Sequence, residues 1–304
     1  MPRLSPVHNF SPVTIENRRT ATFPGEDDFG QHNLGYSSSD PGGGHPACGR
    51  LRMNRALVGF TGFVGGNLVQ QMPFDVLVNS GNSEDLRGCD LDLLVFAGAY
   101  AEKWRANQDP KPDRRHVDAL IDLIRSVTAR RAVLISTIDV YGATRDLDEM
   151  DSPSPAHPYG LHRADLEEAF QAHFHDSYVT RLPALFGHGL QKNAVYDLLH
   201  SHRLEHINPD SEFQFYDLRR LGEDLAVQME HEIRVLNLFT EPLAIGEVVE
   251  RFFRGAALGA AAGPASHYDL RTRWSDVFQG PRGYVESREG VLERLGAFIG
   301  ASRR

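Results

Sequence analysis

From Met53 onward, short apolar runs alternate with longer stretches in which apolar residues recur every three or four positions. The runs at 55–58, 75–78, 91–96, 131–136, 178–182 and 233–238 have the length and composition of strands. Between the third and fourth runs, Val117, Leu120, Ile121, Ile124 and Val127 fall on one face of a helix. A second helix begins near Tyr159 and carries Leu166, Phe170 and Phe174 at the same spacing. Strands that alternate with helices need a parallel sheet covered by those helices, so the pattern predicts an α/β fold and excludes all-β and all-α readings. Beyond residue 182 the pattern becomes mixed, which predicts a core over 53–182 and a smaller C-terminal lobe over 183–304 that also supplies late core elements.

The first 52 residues read differently. They contain six prolines and seven glycines, with the runs Ser37-Ser38-Ser39 and Gly42-Gly43-Gly44. Such a segment buries too little apolar surface to offset an ordering cost of about 1–2 kcal/mol per residue, so it is expected to be a disordered extension. Over the whole chain the composition is that of a globular protein: 41% hydrophobic and 24% charged residues, with a net charge of −9. An acidic balance gives no footprint for nucleic acid. Two cysteines, Cys48 and Cys89, are too few for a disulfide framework and lack metal spacing, which makes a reducing cytosol the simplest compartment. No stretch reads as a membrane span or secretion signal. A cytoplasmic protein is expected.

The first strand runs straight into Gly59-Phe60-Thr61-Gly62-Phe63-Val64-Gly65-Gly66, a G-x-x-G-x-x-G array that opens a helix. Glycines belong there because the backbone turns sharply and approaches a pyrophosphate closely, and the helix N-terminus offers unpaired N–H groups to phosphate. The array therefore specifies the fold further, as a Rossmann-type doubly wound parallel sheet, with Gly59, Thr61, Gly62, Phe63, Val64 and Gly65 as cofactor-binding candidates. NAD and NADP are told apart at the end of the second strand, and Asn79 and Ser80 there are neutral, so the choice stays open. Only about a dozen residues separate this strand from the one at Leu91, so the usual intervening helix and strand must be compressed or absent.

Three further motifs follow in order: Ala97-Gly98-Ala99 after a strand, Ser136-Thr137-Ile138-Asp139-Val140-Tyr141-Gly142, and Pro158-Tyr159-Gly160-Leu161-His162-Arg163. Together with Arg181-Leu182-Pro183-Ala184-Leu185-Phe186-Gly187 they make residues 54–250 resemble the extended short-chain dehydrogenase/reductase family of nucleotide-sugar epimerases, dehydratases and ketoreductases. The short link before Leu91 is most similar to its 4-ketoreductase branch. The resemblance implies that Thr137 orients the reacting oxygen and Tyr159 is the general acid/base. It also implies that Asn79, Ala97, Gly98, Ala99, Tyr159, Arg163 and Pro183 join the glycine turn around NAD or NADP. The family places lysine where this chain has Arg163, which keeps the charge but changes its shape and proton mobility. The family's dehydratases place Asp-Glu after the threonine, and Ile138 occupies the first of those positions, against that branch.

The activity so implied is an NAD(P)-dependent epimerase or oxidoreductase of a nucleotide-sugar, with Thr137, Lys192, Asn193 and Arg219 toward the substrate and a homodimer allowed. Arginine suits a diphosphate because its fork pairs with two phosphate oxygens; a solvated basic face is the plainer reading of the same residues. The alternative function, favoured by Arg163, is a catalytically weak cofactor-sensing protein on the same fold. His173 with His175, and His200, His202 and His206, lack the accompanying Cys or carboxylate spacing of a metal site, so no metal is expected.

Overall fold

The computed structural model describes residues 54–303; the segment 1–52, read above as a disordered extension, lies outside the described residues. Strand β1 (Arg55–Val58) leads into helix α1 (Phe63–Val69), followed by β2 (Val76–Val78), β3 (Asp90–Phe96), α2 (Lys103–Gln108), α3 (Pro110–Arg125), β4 (Thr128–Thr137), α4 (Pro158–His173) and β5 (Ser177–Leu182). Then come β6 (Ala184–Phe186), α5 (Ala194–His200), β7 (Glu212–Phe213), β8 (Phe215–Asp217), α6 (Leu221–Glu230), β9 (Val235–Asn237), β10 (Leu243–Ala244), α7 (Ile245–Phe252) and α8 (Arg288–Ser302).

The six apolar runs of the sequence become one parallel sheet in the order β2-β1-β3-β4-β5-β9. Alternate strand residues point to opposite faces, and both faces are covered. Ala56, Val58, Leu94, Phe96, Ala132 and Leu134 pack against Val117, Leu120, Ile121 and Ile124 of α3 and Leu166 and Phe170 of α4. Leu57, Leu93, Val95, Val133 and Ile135 pack on the other face with Leu68 of α1 and Leu221 and Leu225 of α6. The chain order reverses across β1 and β3, which is where a doubly wound sheet opens a crevice at its C-terminal edge. Between β2 and β3 there is only a single 3₁₀ turn, Ser83–Leu86, in agreement with the short spacing in the sequence.

Residues beyond 183 divide between two jobs. Helix α6 and strand β9 join the sheet layer, while Val195 and Leu198 of α5, Phe215, Leu243, Val248 and Leu292 form a separate apolar cluster. Across the sheet's far half, Arg181 of β5 and Glu167 of α4 form a buried bidentate pair, Nε to Oε1 at 3.1 Å and Nη2 to Oε2 at 2.7 Å. Ser136 Oγ donates to the same Oε1 and Arg181 Nη1 donates to Tyr141 Oη. Removing one partner of such a pair leaves an uncompensated buried charge, a loss of about 3–5 kcal/mol. Glu167→Ala is therefore expected to lower the unfolding free energy by about that amount in urea denaturation; a loss near the ~1 kcal/mol of a surface pair would contradict the role given to this contact.

Candidate active site

The glycine turn sits at the C-terminal end of β1, at the reversal point. Gly59 has φ +87°, and a Cβ there would lie 2.3 Å from the Ala97 carbonyl oxygen, so only glycine fits between the ends of β1 and β3. Gly65 closes the turn from the other side, since its Cβ would lie 2.1 Å from the Gly59 oxygen. Gly62 differs: a Cβ there would meet only the Gly59 oxygen, at 3.3 Å, and would otherwise project away from protein. Thr61 and Gly62 are exposed at the lip of the crevice, while Phe63 and Val64 are half-buried. The Gly59 N–H donates to the Val78 oxygen at 2.7 Å, which sets Asn79 beside the turn. Asn79 closes a small loop there, its Oδ1 accepting from Gly81 N–H at 2.8 Å and its own N–H donating to Asn82 Oδ1 at 2.7 Å.

Thr137 ends β4, and its Oγ1 accepts from the Asp139 N–H at 3.2 Å, which starts the 3₁₀ turn Ile138–Val140. Tyr159 lies in the first turn of α4. That turn is capped by His157, whose Nδ1 accepts from Gly160 N–H at 3.1 Å, with Pro158 at the first helical position. Gly160 lets the helix end seat directly on the 3₁₀ turn, for a Cβ would lie 2.1 Å from the Asp139 oxygen. Thr137 and Tyr159 thus line one cavity of about 250 Å³ with Val64, Ala97, Ala99, Lys103, Asp139, Arg163 and Pro183. The structure brings together residues spread from Val64 to Pro183 in the sequence.

Arg163 follows Tyr159 by one turn, and its guanidinium carbon lies 4.2 Å above the phenol ring. Its fork, however, is committed: Nη1 and Nη2 donate to Asp113 of α3 at 2.9 and 2.8 Å, and Nη2 also donates to the Tyr100 oxygen at 2.5 Å. His162 Nδ1 meets the same Asp113 carboxylate at 2.7 Å. Burial pushes the Asp113 carboxyl up, but the hydrogen bonds and charges of Arg163 and His162 outweigh it and hold the group below its ordinary value. Burial pushes the Tyr159 phenol up, the Arg163 charge pulls it down and Asp139 pushes it up again, with the net above the ordinary value. The Arg163 charge acts to lower this phenol, but burial wins and Asp113 takes most of the guanidinium. One donor is left over, because Arg163 Nε is buried without a protein partner.

Two further cavities continue from the first. One of about 210 Å³ shares Lys103, Thr137, Asp139 and Pro183 with it and adds Ala184, Gln214 and Tyr268. The next, about 290 Å³, shares Phe213 with the second and runs along Asn193, Asp197, Arg203 and Asn208 of the C-terminal lobe. Asn193 stands at its edge with φ 127°, its Oδ1 accepting from Val195 and Tyr196 N–H at 3.0 and 3.1 Å to cap α5. Lys192 donates to the Ala101 oxygen across the mouth of the cleft. Arg219 is not brought to this track. It is fixed on Asp217, two residues away, and lines a separate groove with Asn67, Gln71 and Phe298. His173, His200 and His202 each bond singly, to the Val127 oxygen, the Tyr196 oxygen and Asp197. Among the described residues no helix is long and apolar enough to cross a membrane. Lys103, Asp113, His157 and Gly160 were not singled out by sequence reasoning. Of these only Gly160, inside the tyrosine motif, carried a local signal.

No family model matches the chain, and no curated protein matches it. Solved structures do. MoeE5 in complex with UDP-glucose and NAD superposes with a TM-score of 0.63 at 19% identity, over 83% of this chain and 99% of that one. The UDP-N-acetylglucosamine 4-epimerase of Methanobrevibacter ruminantium M1, in complex with UDP-N-acetylmuramic acid, gives 0.66 at 13% identity over 83% and 99%. The dTDP-4-dehydrorhamnose reductase of Bacillus anthracis, in complex with NADP, gives 0.66 at 12% identity over 83% and 100%. At these identities the likeness shows the fold alone, a parallel α/β sheet covered by helices on both faces.

The seating of α4 has a direct test. Gly160→Ala forces the helix end off the Asp139 carbonyl, an overpacking cost of about 1–3 kcal/mol. The urea midpoint is expected to fall accordingly, and an unchanged midpoint would contradict the close approach.

Proposed function

We propose that the chain is an NAD(P)-dependent enzyme that transfers hydride to or from a nucleotide-sugar, with Tyr159 as the acid/base. The observation that carries this reading is the run of three adjoining cavities. It starts between Val64, in the first turn of α1, and Ala97, passes Tyr159 and Thr137, and ends in the C-terminal lobe. A dinucleotide suits the first stretch on two counts. A Cβ at Gly62 would project into the space beside the turn, and Arg163 Nε is an orphaned donor of the kind a ribose hydroxyl satisfies. The ligands of one neighbour support the same pairing of parts, since the MoeE5 structure is a complex with UDP-glucose and NAD.

When bound, the dinucleotide supplies or removes a hydride at a sugar carbon. The chain does the rest. Thr137 Oγ1 positions the sugar oxygen within reach of Tyr159. The phenol, held above its ordinary value by burial, keeps its proton at neutral pH and hands it to a sugar carbonyl oxygen as the carbon receives hydride. That state suits the reducing direction, because oxidation requires the phenolate at the outset. Asn193 and the lobe cavity lie where the nucleotide part of such a substrate would extend. The rival reading, a cofactor-sensing protein with weak turnover, is favoured by one observation, the commitment of Arg163 to Asp113.

Two substitutions separate these readings. Gly62→Val is expected to abolish NADH and NADPH binding in fluorescence titration while leaving the fold intact. Tyr159→Phe is expected to keep dinucleotide affinity and lose about 10²–10⁴-fold in turnover of a reducible sugar nucleotide. Unchanged NADH and NADPH affinity in Gly62→Val would place the cofactor elsewhere, and activity of Tyr159→Phe within a factor of about two of the parent would remove the tyrosine from proton transfer.

A further inference from the structure

The lysines of this chain are unusually few: Lys103, Lys111 and Lys192, against 29 arginines. Among the described residues, arginines tie elements together from buried or half-buried positions, as at Arg163, Arg181 and Arg220. Lys103 is the exception in both type and place. It opens α2, and its Nζ is 2.5 Å from Asp139 Oδ1, with the Tyr268 hydroxyl acting on the same ammonium. Asp139 is itself held by Thr137, whose Oγ1 donates to Oδ2 at 3.4 Å, and has His157 Nε2 at 3.7 Å. The pair belongs to both inner cavities, at the junction where the tyrosine site opens into the middle compartment. The Lys103 side chain keeps 40% of its surface exposed, whereas Asp139 keeps 14%. The carboxylate is therefore anchored and the ammonium faces the opening.

A solvated surface pair would explain the contact if both groups lay outside, but here the carboxylate is nearly enclosed and sits two residues from Thr137. An ammonium has three donors, so the contacts with Asp139 and the Tyr268 hydroxyl still leave donor capacity for a ligand. A compact, rotatable donor set suits hydroxyl or carbonyl oxygens that differ in direction, where the rigid arginine fork suits a planar anion. Arg163, the cation that the sequence motif puts beside Tyr159, has its fork spent on Asp113.

We infer that Lys103 is a specificity-determining residue that donates hydrogen bonds to the sugar ring of the substrate, with Asp139 as the positioning residue that holds it over the middle cavity. This rests on the nucleotide-sugar reading above and deepens it, by dividing the substrate: the sugar lies under Lys103, and the nucleotide lies in the lobe cavity, which Lys103 does not line.

The division dictates the test. Calorimetric titrations of the full chain measure NADH on the cofactor-free protein, and compare UDP with UDP-glucose, UDP-N-acetylglucosamine and dTDP-glucose on protein saturated with NAD⁺, in the parent and in Lys103→Met, Lys103→Arg and Asp139→Asn. A hydrogen bond from a charged donor contributes about 1.5–3 kcal/mol, which is roughly a tenfold to hundredfold change in affinity. Lys103→Met is expected to weaken the tightest sugar nucleotide by that factor while UDP and NADH bind as in the parent. Lys103→Arg restores the charge but only part of the affinity, and Asp139→Asn weakens the sugar nucleotide less than Lys103→Met does. Equal affinity of Lys103→Met and parent for the sugar nucleotides would overturn the inference, and so would a parallel loss of UDP and NADH, which marks a merely structural role. If the parent binds NADH but none of the four uridine and thymidine compounds, the nucleotide-sugar reading itself falls, and the role of Lys103 falls with it.

Discussion

The buried fork of Arg163 on Asp113 fixes more of this site than any other contact. It ties α4 to α3 below the first turn of α4, and the ring of Tyr159 rests against the same guanidinium. A paired, enclosed guanidinium costs little once the carboxylate is present, whereas either partner alone would be a charge stranded in the interior. The consequence for chemistry is a trade. The pair holds Tyr159 in one place, yet most of the positive charge is answered by Asp113 and the phenol stays protonated at neutral pH. A site built this way has a fixed cation at position 163, and a second cation, Lys103, approaches from the other side through Asp139.

That geometry depends in turn on how the sheet ends. Six parallel strands covered on both faces deliver the glycine turn, Ala97 and Thr137 to one edge, each from a different strand. The shared edge explains why two close approaches recur there. Gly59 and Gly65 let the turn fold back on the end of β3, and Gly160 lets α4 seat on the turn after β4. Behind the edge, Glu167 reaches Ser136 and Arg181 and so braces β4, α4 and β5 against one another. The lobe beyond residue 183 then adds walls to the crevice without altering its floor.

How much of this was legible in the sequence follows from the range of each interaction. The six strands showed as apolar runs because burial on both faces leaves few polar positions to interrupt them. The single 3₁₀ turn between β2 and β3 was visible as spacing alone. The glycine turn, Thr137 and Tyr159 showed because each motif is local. What stayed hidden joins distant positions. Asp113 meets Arg163 across 50 residues and Lys103 meets Asp139 across 36, and no periodicity encodes such a pairing. Arg219, whose type and region suit a diphosphate, has a short-range partner instead: Asp217, two residues before it, accepts from its fork. Lys192 likewise spends its ammonium on the Ala101 carbonyl.

The central claim is that this edge holds a nicotinamide dinucleotide, and native mass spectrometry of the full-length protein purified from cells tests it most directly. The account predicts a bound species with the mass of NAD(H) or NADP(H), one per chain, that is lost in Gly62→Val and kept in Tyr159→Phe. A different bound cofactor, or a dinucleotide that persists in Gly62→Val, would contradict it.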